Sequence, residues 1–453
     1  MELLFTLASF LVALGILIAV HELGHFLTAR GLGVKVLRFS LGFGRPLLRY
    51  QRCAQSTEYV LAALPLGGYV KMLDEREEEV PPAELHRAFN RQPLWRRSAI
   101  VAAGPAANFL FAILAYWVML MAGDPGLRPI VGAVAPDSIA AEVGFRPGDE
   151  ILAVAGRASP TWESAGFAFL VESLGGDDLV VRVREDSGLE LERRIPGDRL
   201  AGLPDDPQRF DRLGLVPSRP KLPATIGELT PGEPAAQAGF AVGDRILTVD
   251  GKPIADWRDW VEIVRKSPGR SLAVAVERDG TPVNLEVVPR LTEVDGNPIG
   301  RIGAGVAARD DLMDAYRVDV RYGPIEALGQ SLQKTYDLSA LMLRVMGRML
   351  VGQASVEHLS GPISIAETAG RTASNGLESF VKFLAVVSIS LAVLNLLPVP
   401  VLDGGHLLFF FVEWAKGSPL SEQAQAQAQK VGIALILALM LLAFYVDLSR
   451  LFG

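Results

Sequence analysis

The chain of 453 residues contains one cysteine, Cys53, so no intramolecular disulfide is possible and no cysteine-based zinc site can form. It has no excess of basic residues. With 44 Lys and Arg against 51 Asp and Glu the formal net charge is −7, which argues against a nucleic-acid partner. Histidine is scarce as well, at five residues, so any clustering of histidines is informative. Charge itself is not lacking. Charged residues are 21% of the chain, yet hydrophobic residues are 50% and the mean hydropathy is +0.28. A soluble protein carries less apolar weight, and a pure membrane bundle carries less charge. The combination excludes a disordered or collagen-like chain. It predicts membrane spans joined to water-soluble modules, two or three domains by length.

Four uncharged stretches read as membrane helices: Leu3 to Val20, Ser98 to Ala122, Phe383 to Leu402, and the shorter Val431 to Val446. About 20 apolar residues cross a hydrocarbon core of roughly 30 Å. The first stretch does not read as a cleaved leader, because it has no basic n-region and no small-residue cleavage site. Lys and Arg set the orientation. Between Leu23 and Arg97 there are 12 basic and 7 acidic residues, which predicts a cytoplasmic segment and an outward N-terminus. Gly123 to Pro220 has 11 basic and 17 acidic residues, in keeping with an exported region.

That exported region contains a repeat at an offset of 95 residues. Gly144-Phe145, Gly148-Asp149 and Ile151-Leu152 recur as Gly239-Phe240, Gly243-Asp244 and Ile246-Leu247. Short β-type runs surround each copy, so the expectation is two copies of one small α/β module. Each Gly-Asp pair reads as a tight turn before a strand. The motif resembles the PDZ domains of bacterial envelope proteases, and that resemblance implies extended peptide ligands bound by strand addition.

Directly after the first apolar run stands His21-Glu22-Leu23-Gly24-His25. Histidines at i and i+4 share a helix face and can share one metal ion, and Glu22 is placed to take a proton from the attacking water. Ionisable residues inside a membrane segment are costly and usually functional. If the helix continues to Arg30, His21 lies roughly 13 Å below the cytoplasmic end. Zinc needs a third protein ligand. Asp403 and His406 are the rivals, both after the third span and at a similar depth to His21. Pro398, Pro400, Gly404 and Gly405 break the chain around Asp403, as is tolerated where backbone lines a cavity. His86 and His358 read as ordinary loop histidines.

Taken together, these motifs resemble the site-2 protease family of intramembrane zinc metalloproteases, in its bacterial two-PDZ form, over essentially the whole length. The resemblance rests on His21-Glu-Leu-Gly-His25, on Asn395-Leu-Leu-Pro-Val-Pro-Val-Leu-Asp-Gly404, on Gly42-Phe43-Gly44, on Pro65-Leu-Gly-Gly-Tyr-Val-Lys-Met72, on Ala103-Gly-Pro105 with Asn108, and on Leu359-Ser-Gly-Pro-Ile-Ser364. It implies His21, His25 and Asp403 as Zn2+ ligands and Glu22 as the catalytic base. It also implies Asn395, and an edge strand around Gly67, Gly68 and Tyr69, as holders of unwound substrate. The rival reading of Asn395 and Asn108 is packing between helices, and that of Gly67-Gly68 is a simple bend.

The expected architecture is a polytopic α-helical membrane protein with four transmembrane helices, two inserted α/β PDZ domains and small membrane-associated β elements. The expected segments are 1–30 with the His-Glu motif, 31–97 on the cytoplasmic side, a second span at 98–122, PDZ modules at 126–219 and 220–292, a periplasmic-side connection at 293–376, a third span at 377–412 and a fourth at 429–450. The expected location is the bacterial inner membrane, with the PDZ domains periplasmic and the active site toward the cytoplasm. Expected partners are membrane lipid and single-span substrates, such as an anti-sigma factor in a sigma-E envelope stress response or remnant signal peptides. Two other classes remain. One is a non-enzymatic, zinc-binding membrane PDZ scaffold or receptor, which would not need Glu22. The other is a transporter, which predicts related halves among the spans; the repeat seen lies outside them.

Overall fold

The computed structural model describes residues 2–452 apart from 54, 204–208, 219–221, 295–296, 308–313, 315 and 353–360. His358 and the start of the Leu359–Ser364 motif lie outside the described residues. The chain divides into two compact units, one of helices with a small sheet and one of two α/β modules.

In the first unit, four helices are long and apolar enough to cross a bilayer: Leu3–Gly31, Leu94–Ala122, Leu377–Leu396 and Glu422–Arg450. They are called spans 1 to 4 below. Span 3 is shorter than the sequence suggested. It ends at Leu396, and a separate helix, Asp403–Lys416, follows the Pro398–Pro400 break. Two further helices, Pro324–Leu350 and Pro362–Ser374, occupy the region expected to be a plain connection. The first of these is amphipathic. Leu338 and Met342 pack on the core formed by Ala112, Tyr116, Ala385, Ile389 and Val393, while Lys334 lies over the Tyr116 ring. Interspersed charges hide such a helix from a search for apolar runs.

Spans 1 and 2 cross closely because small residues meet there. A Cβ at Gly24 would lie 2.2 Å from the Ala103 carbonyl oxygen and 2.8 Å from the Ala107 methyl. Elsewhere a carboxylate ties helices together. Asp447 of span 4 is buried, and it accepts from the N–H groups of Gly361, Ile363 and Ser364 and from the Ser364 hydroxyl. It thus caps Pro362–Ser374, whose own N-cap residue is a glycine without a side chain to do so.

Between spans 1 and 2 runs a hairpin of two long bent strands, Val36–Tyr50 and Glu58–Met72. Its register is double. Ser40 pairs with both Val60 and Tyr69, and Leu41 with both Leu61 and Gly68, while Arg49 pairs with Val60. Two strands therefore act as four, with 46–50 and 68–72 on the edges.

The second unit contains the repeat. Its first module has a four-stranded antiparallel sheet in the order Arg157–Ala158, Glu150–Val154, Leu179–Arg184, Glu190–Ile195, with the helix Trp162–Ser173. The second repeats it with Lys252–Pro253, Arg245–Val249, Leu272–Arg278, Thr281–Val287 and the helix Trp257–Arg265. Each module also has a strand pair, Val131–Val134 with Leu215–Pro217 and Ile226–Leu229 with Ala304–Val306. The second module therefore extends beyond the expected boundary at Thr292, and Ile302 belongs to its core. A closing strand of Ala-Gly-Val carries too little pattern to be read in advance.

Each module turns before its central strand on the Gly-Asp pair. Asp149 accepts from the Arg146 N–H, and Asp244 accepts from the Ala241 N–H. Asp244 is fully buried and is held by two guanidinium bonds from Arg278 at 2.7 and 2.8 Å. Burial opposes its ionisation, but Arg278 and the Ala241 N–H outweigh that and keep the carboxyl below the usual range. Its stabilising contribution is therefore complete above about pH 4 and is lost as the pH falls through the folded value. Arg278→Ala removes both guanidinium bonds from this buried carboxylate and is expected to destabilise the second module at neutral pH. Faster hydrogen exchange in Leu272–Arg278, with the first module unchanged, is the measurement that checks this.

Candidate metal centre

Span 1 presents His21 and His25 on one face, one turn apart, with their rings edge to face at 4.8 Å between centroids. Asp403 comes to them from the first position of the helix after the span 3 break. Its Oδ2 lies 3.2 Å from His21 Nε2 and 3.5 Å from His25 Nε2, and the two Nε2 atoms are 3.2 Å apart. Three potential ligand atoms thus form a nearly equilateral triangle. Donors held at about 2.05 Å in a tetrahedron stand roughly 3.3 Å from one another. The triangle fits one ion of that size. Asp403 Oδ2 is also buried without a hydrogen-bond partner. Two imidazoles and a carboxylate are a donor set suited to zinc, and they leave a fourth position for substrate or water.

Each candidate ligand is held from behind. His25 Nδ1 faces the Ile100 carbonyl at 2.8 Å, which fixes the proton on Nδ1 and leaves the Nε2 lone pair free. His21 Nδ1 faces the Asn108 side chain at 3.3 Å. Asp403 is placed by its neighbours. Gly404 and Gly405 lie so close to the backbone of Leu396–Val399 that a Cβ at either would stand 2.3 Å from a carbonyl oxygen. The helix they begin is braced by Arg97, which pairs with Glu413 and covers the Phe410 ring.

Glu22 is buried beside the two histidines on span 1. Gly68 packs on it, and a Cβ at Gly68 would lie 2.8 Å from Glu22 Cγ. The hairpin edge thereby adjoins the carboxylate. Gly67 has φ +138° and sits against Phe43, and Tyr69 stacks on Phe43 and accepts from Arg38. Asn395 is half-buried one residue before the end of span 3, and no described residue takes its amide. The structure brings His21, His25, Asp403, Glu22 and Gly68 together. His406 packs edge-on against Phe409, outside the triangle, and His86 is exposed in the short 3-10 helix Pro82–Arg87.

Sequence reasoning read Gly104 as a packing residue of the second span and gave it no part in the metal site. It lies directly beneath the histidines, where a Cβ would stand 2.3 Å from His25 Nε2 and 2.9 Å from His21 Cε1. Its position before Pro105 was the available signal. Pro105 has no N–H, so the helix ladder is interrupted next to the turn whose Ile100 carbonyl takes His25.

A His-Glu-x-x-His helix with an acidic candidate for third ligand beside it has the form of a metallopeptidase centre. Comparison places it further. The model of peptidase family M50 matches residues 9–439, and the chain belongs to that family. It is 44% identical over 450 residues to the regulator of sigma-E protease RseP of Escherichia coli K12, covering 99% of each chain. It is 43% identical to the putative zinc metalloprotease NMA0084 of Neisseria meningitidis serogroup A, over 99% of this chain and all of that one. It is 42% identical to the regulator of sigma E protease of Salmonella typhi over the whole of both.

Gly104→Ala is expected to force the histidines off the triangle and to abolish stoichiometric metal binding while the helices remain folded. Metal analysis of the purified protein beside its thermal unfolding checks this, and an undiminished metal content would contradict it.

Proposed function

We propose that the chain is an intramembrane zinc endopeptidase that cuts the membrane segments of single-span proteins. The observation that carries this reading is the ligand triangle of His21, His25 and Asp403, set on span helices with Glu22 beside it. Zinc at that position supplies Lewis acidity toward the scissile carbonyl and lowers the pKa of water. Glu22 accepts the water proton and delivers it to the leaving amine. Asp403 completes the ligand set and offsets positive charge.

A helical substrate hides its amides in its own ladder, so it must be unwound to be cut. The free edge of 68–72 supports a role in holding the unwound strand by backbone pairing, with Gly68 allowing that strand to approach Glu22. Gly67 and Tyr69 shape that edge. The unengaged amide of Asn395 supports a role in fixing the substrate backbone.

In this reading the protein resides in the bacterial inner membrane, with the site toward the basic cytoplasmic side and the repeated modules in the periplasm. Both modules act as PDZ domains for extended peptides. They select substrates whose outer domain has already been trimmed. The names of the relatives suggest the physiological setting, regulation of sigma-E, with an anti-sigma factor as substrate; remnant signal peptides are a second substrate class. Membrane lipid surrounds the spans.

Glu22→Gln is expected to keep its zinc and lose cleavage of a single-span substrate by about 10²–10⁴-fold. Near wild-type cleavage would refute the base assignment, whereas a zinc-loaded wild type that cuts nothing would favour a zinc-binding scaffold. Asp403→Asn is expected to lose zinc; unchanged zinc content would exclude Asp403 as a ligand. Deleting residues 131–306 is expected to admit untrimmed substrates while trimmed ones are still cut. Loss of cleavage of trimmed substrates would overturn the selection role.

A further inference from the structure

Asn108 is fully buried in span 2, and its backbone carbonyl accepts from the Ser388 hydroxyl at 2.9 Å. Its Nδ2 lies 3.3 Å from His21 Nδ1, and its Oδ1 is buried with no hydrogen-bond partner. The other ring nitrogen, His21 Nε2, belongs to the ligand triangle. We propose that Asn108 is a positioning residue for His21, whose side-chain amide turns over to serve either tautomer of the ring and, with Oδ1 toward Nδ1, holds His21 in the ligating one. This rests on the zinc reading above.

The argument is one of donors and acceptors. A ligating Nε2 offers its lone pair, so the ring proton sits on Nδ1 and needs an acceptor. For His25 that acceptor is the Ile100 carbonyl. For His21 the group in reach is the Asn108 amide. An amide rotated by 180° exchanges oxygen and nitrogen with almost no change of shape. Nδ2 toward Nδ1 suits a ring with its proton on Nε2, where Asp403 Oδ2 at 3.2 Å can accept it. Oδ1 toward Nδ1 suits the ligating ring. A backbone carbonyl can only accept, so His25 is fixed in one tautomer while His21 can change.

The test uses the full-length protein in detergent. Zinc affinity is measured by competition with a chelator of known affinity, beginning with the wild type. Absence of zinc binding there would refute the metal reading itself, separately from this proposal. Asn108→Leu keeps the volume and removes both polar atoms; it is expected to weaken zinc affinity about 10–100-fold and to shift the visible bands of the cobalt(II)-substituted protein. Asn108→Asp can only accept and is expected to stay within about threefold of wild type. Wild-type affinity in the leucine variant, or equal weakening in both, would overturn the proposal. Should either variant fail to fold, long-range nitrogen-15 spectra of the zinc-loaded wild type decide. His21 protonated on Nδ1 is the expected result, and His21 protonated on Nε2 would overturn the proposal.

Discussion

The helical unit depends on how closely spans 1 and 2 approach. At Gly24 and Ala103 the two backbones come near enough that a single methyl group would not fit, and the next residue, Gly104, makes the same allowance for the histidine rings. Lipid tails are as apolar as leucine, so no hydrophobic force drives such a crossing; packing and hydrogen bonds must do it. The crossing delivers both. It lets the Ile100 carbonyl and the Asn108 amide reach across to the far nitrogens of His25 and His21. Span 2 thereby orients two rings that belong to span 1, and the triangle with Asp403 follows from that orientation.

Asp403 requires a different device. It arrives from a broken segment in which two prolines end span 3 and two glycines let the chain fold back on the turn it has just left. Arg97 and Glu413 then fasten the outgoing helix to the start of span 2. Span 2 therefore braces both halves of the site. The hairpin enters through Gly68, whose missing side chain allows a β edge to lie against Glu22.

Much of this was legible in the sequence, for reasons tied to particular residues. The i, i+4 spacing of His21 and His25 is a helix-face pattern that needs no tertiary knowledge. Asp403 was visible as a carboxylate stranded between apolar runs, although only geometry separates it from His406. The 95-residue repeat was visible because Gly-Asp turns recur in register, and both modules do use that aspartate to close the turn. What escaped was whatever depends on distant partners. The helix Pro324–Leu350 is amphipathic and offers no apolar run. The closing strand Ala304–Val306 is defined by its partner, Ile226–Leu229, and has no pattern of its own. Asn108 and Gly104 read as packing residues until the rings they touch are placed beside them.

The order of the ligands along the chain has a consequence in time. His21 and His25 are made well before Asp403, which lies 378 residues beyond His25. During synthesis the first two spans can enter the membrane and cross while the third ligand has yet to be translated. On the proposed assignment, a growing chain carries the base and two ligands but not the full set, so hydrolytic competence waits for the turn after the third span to close.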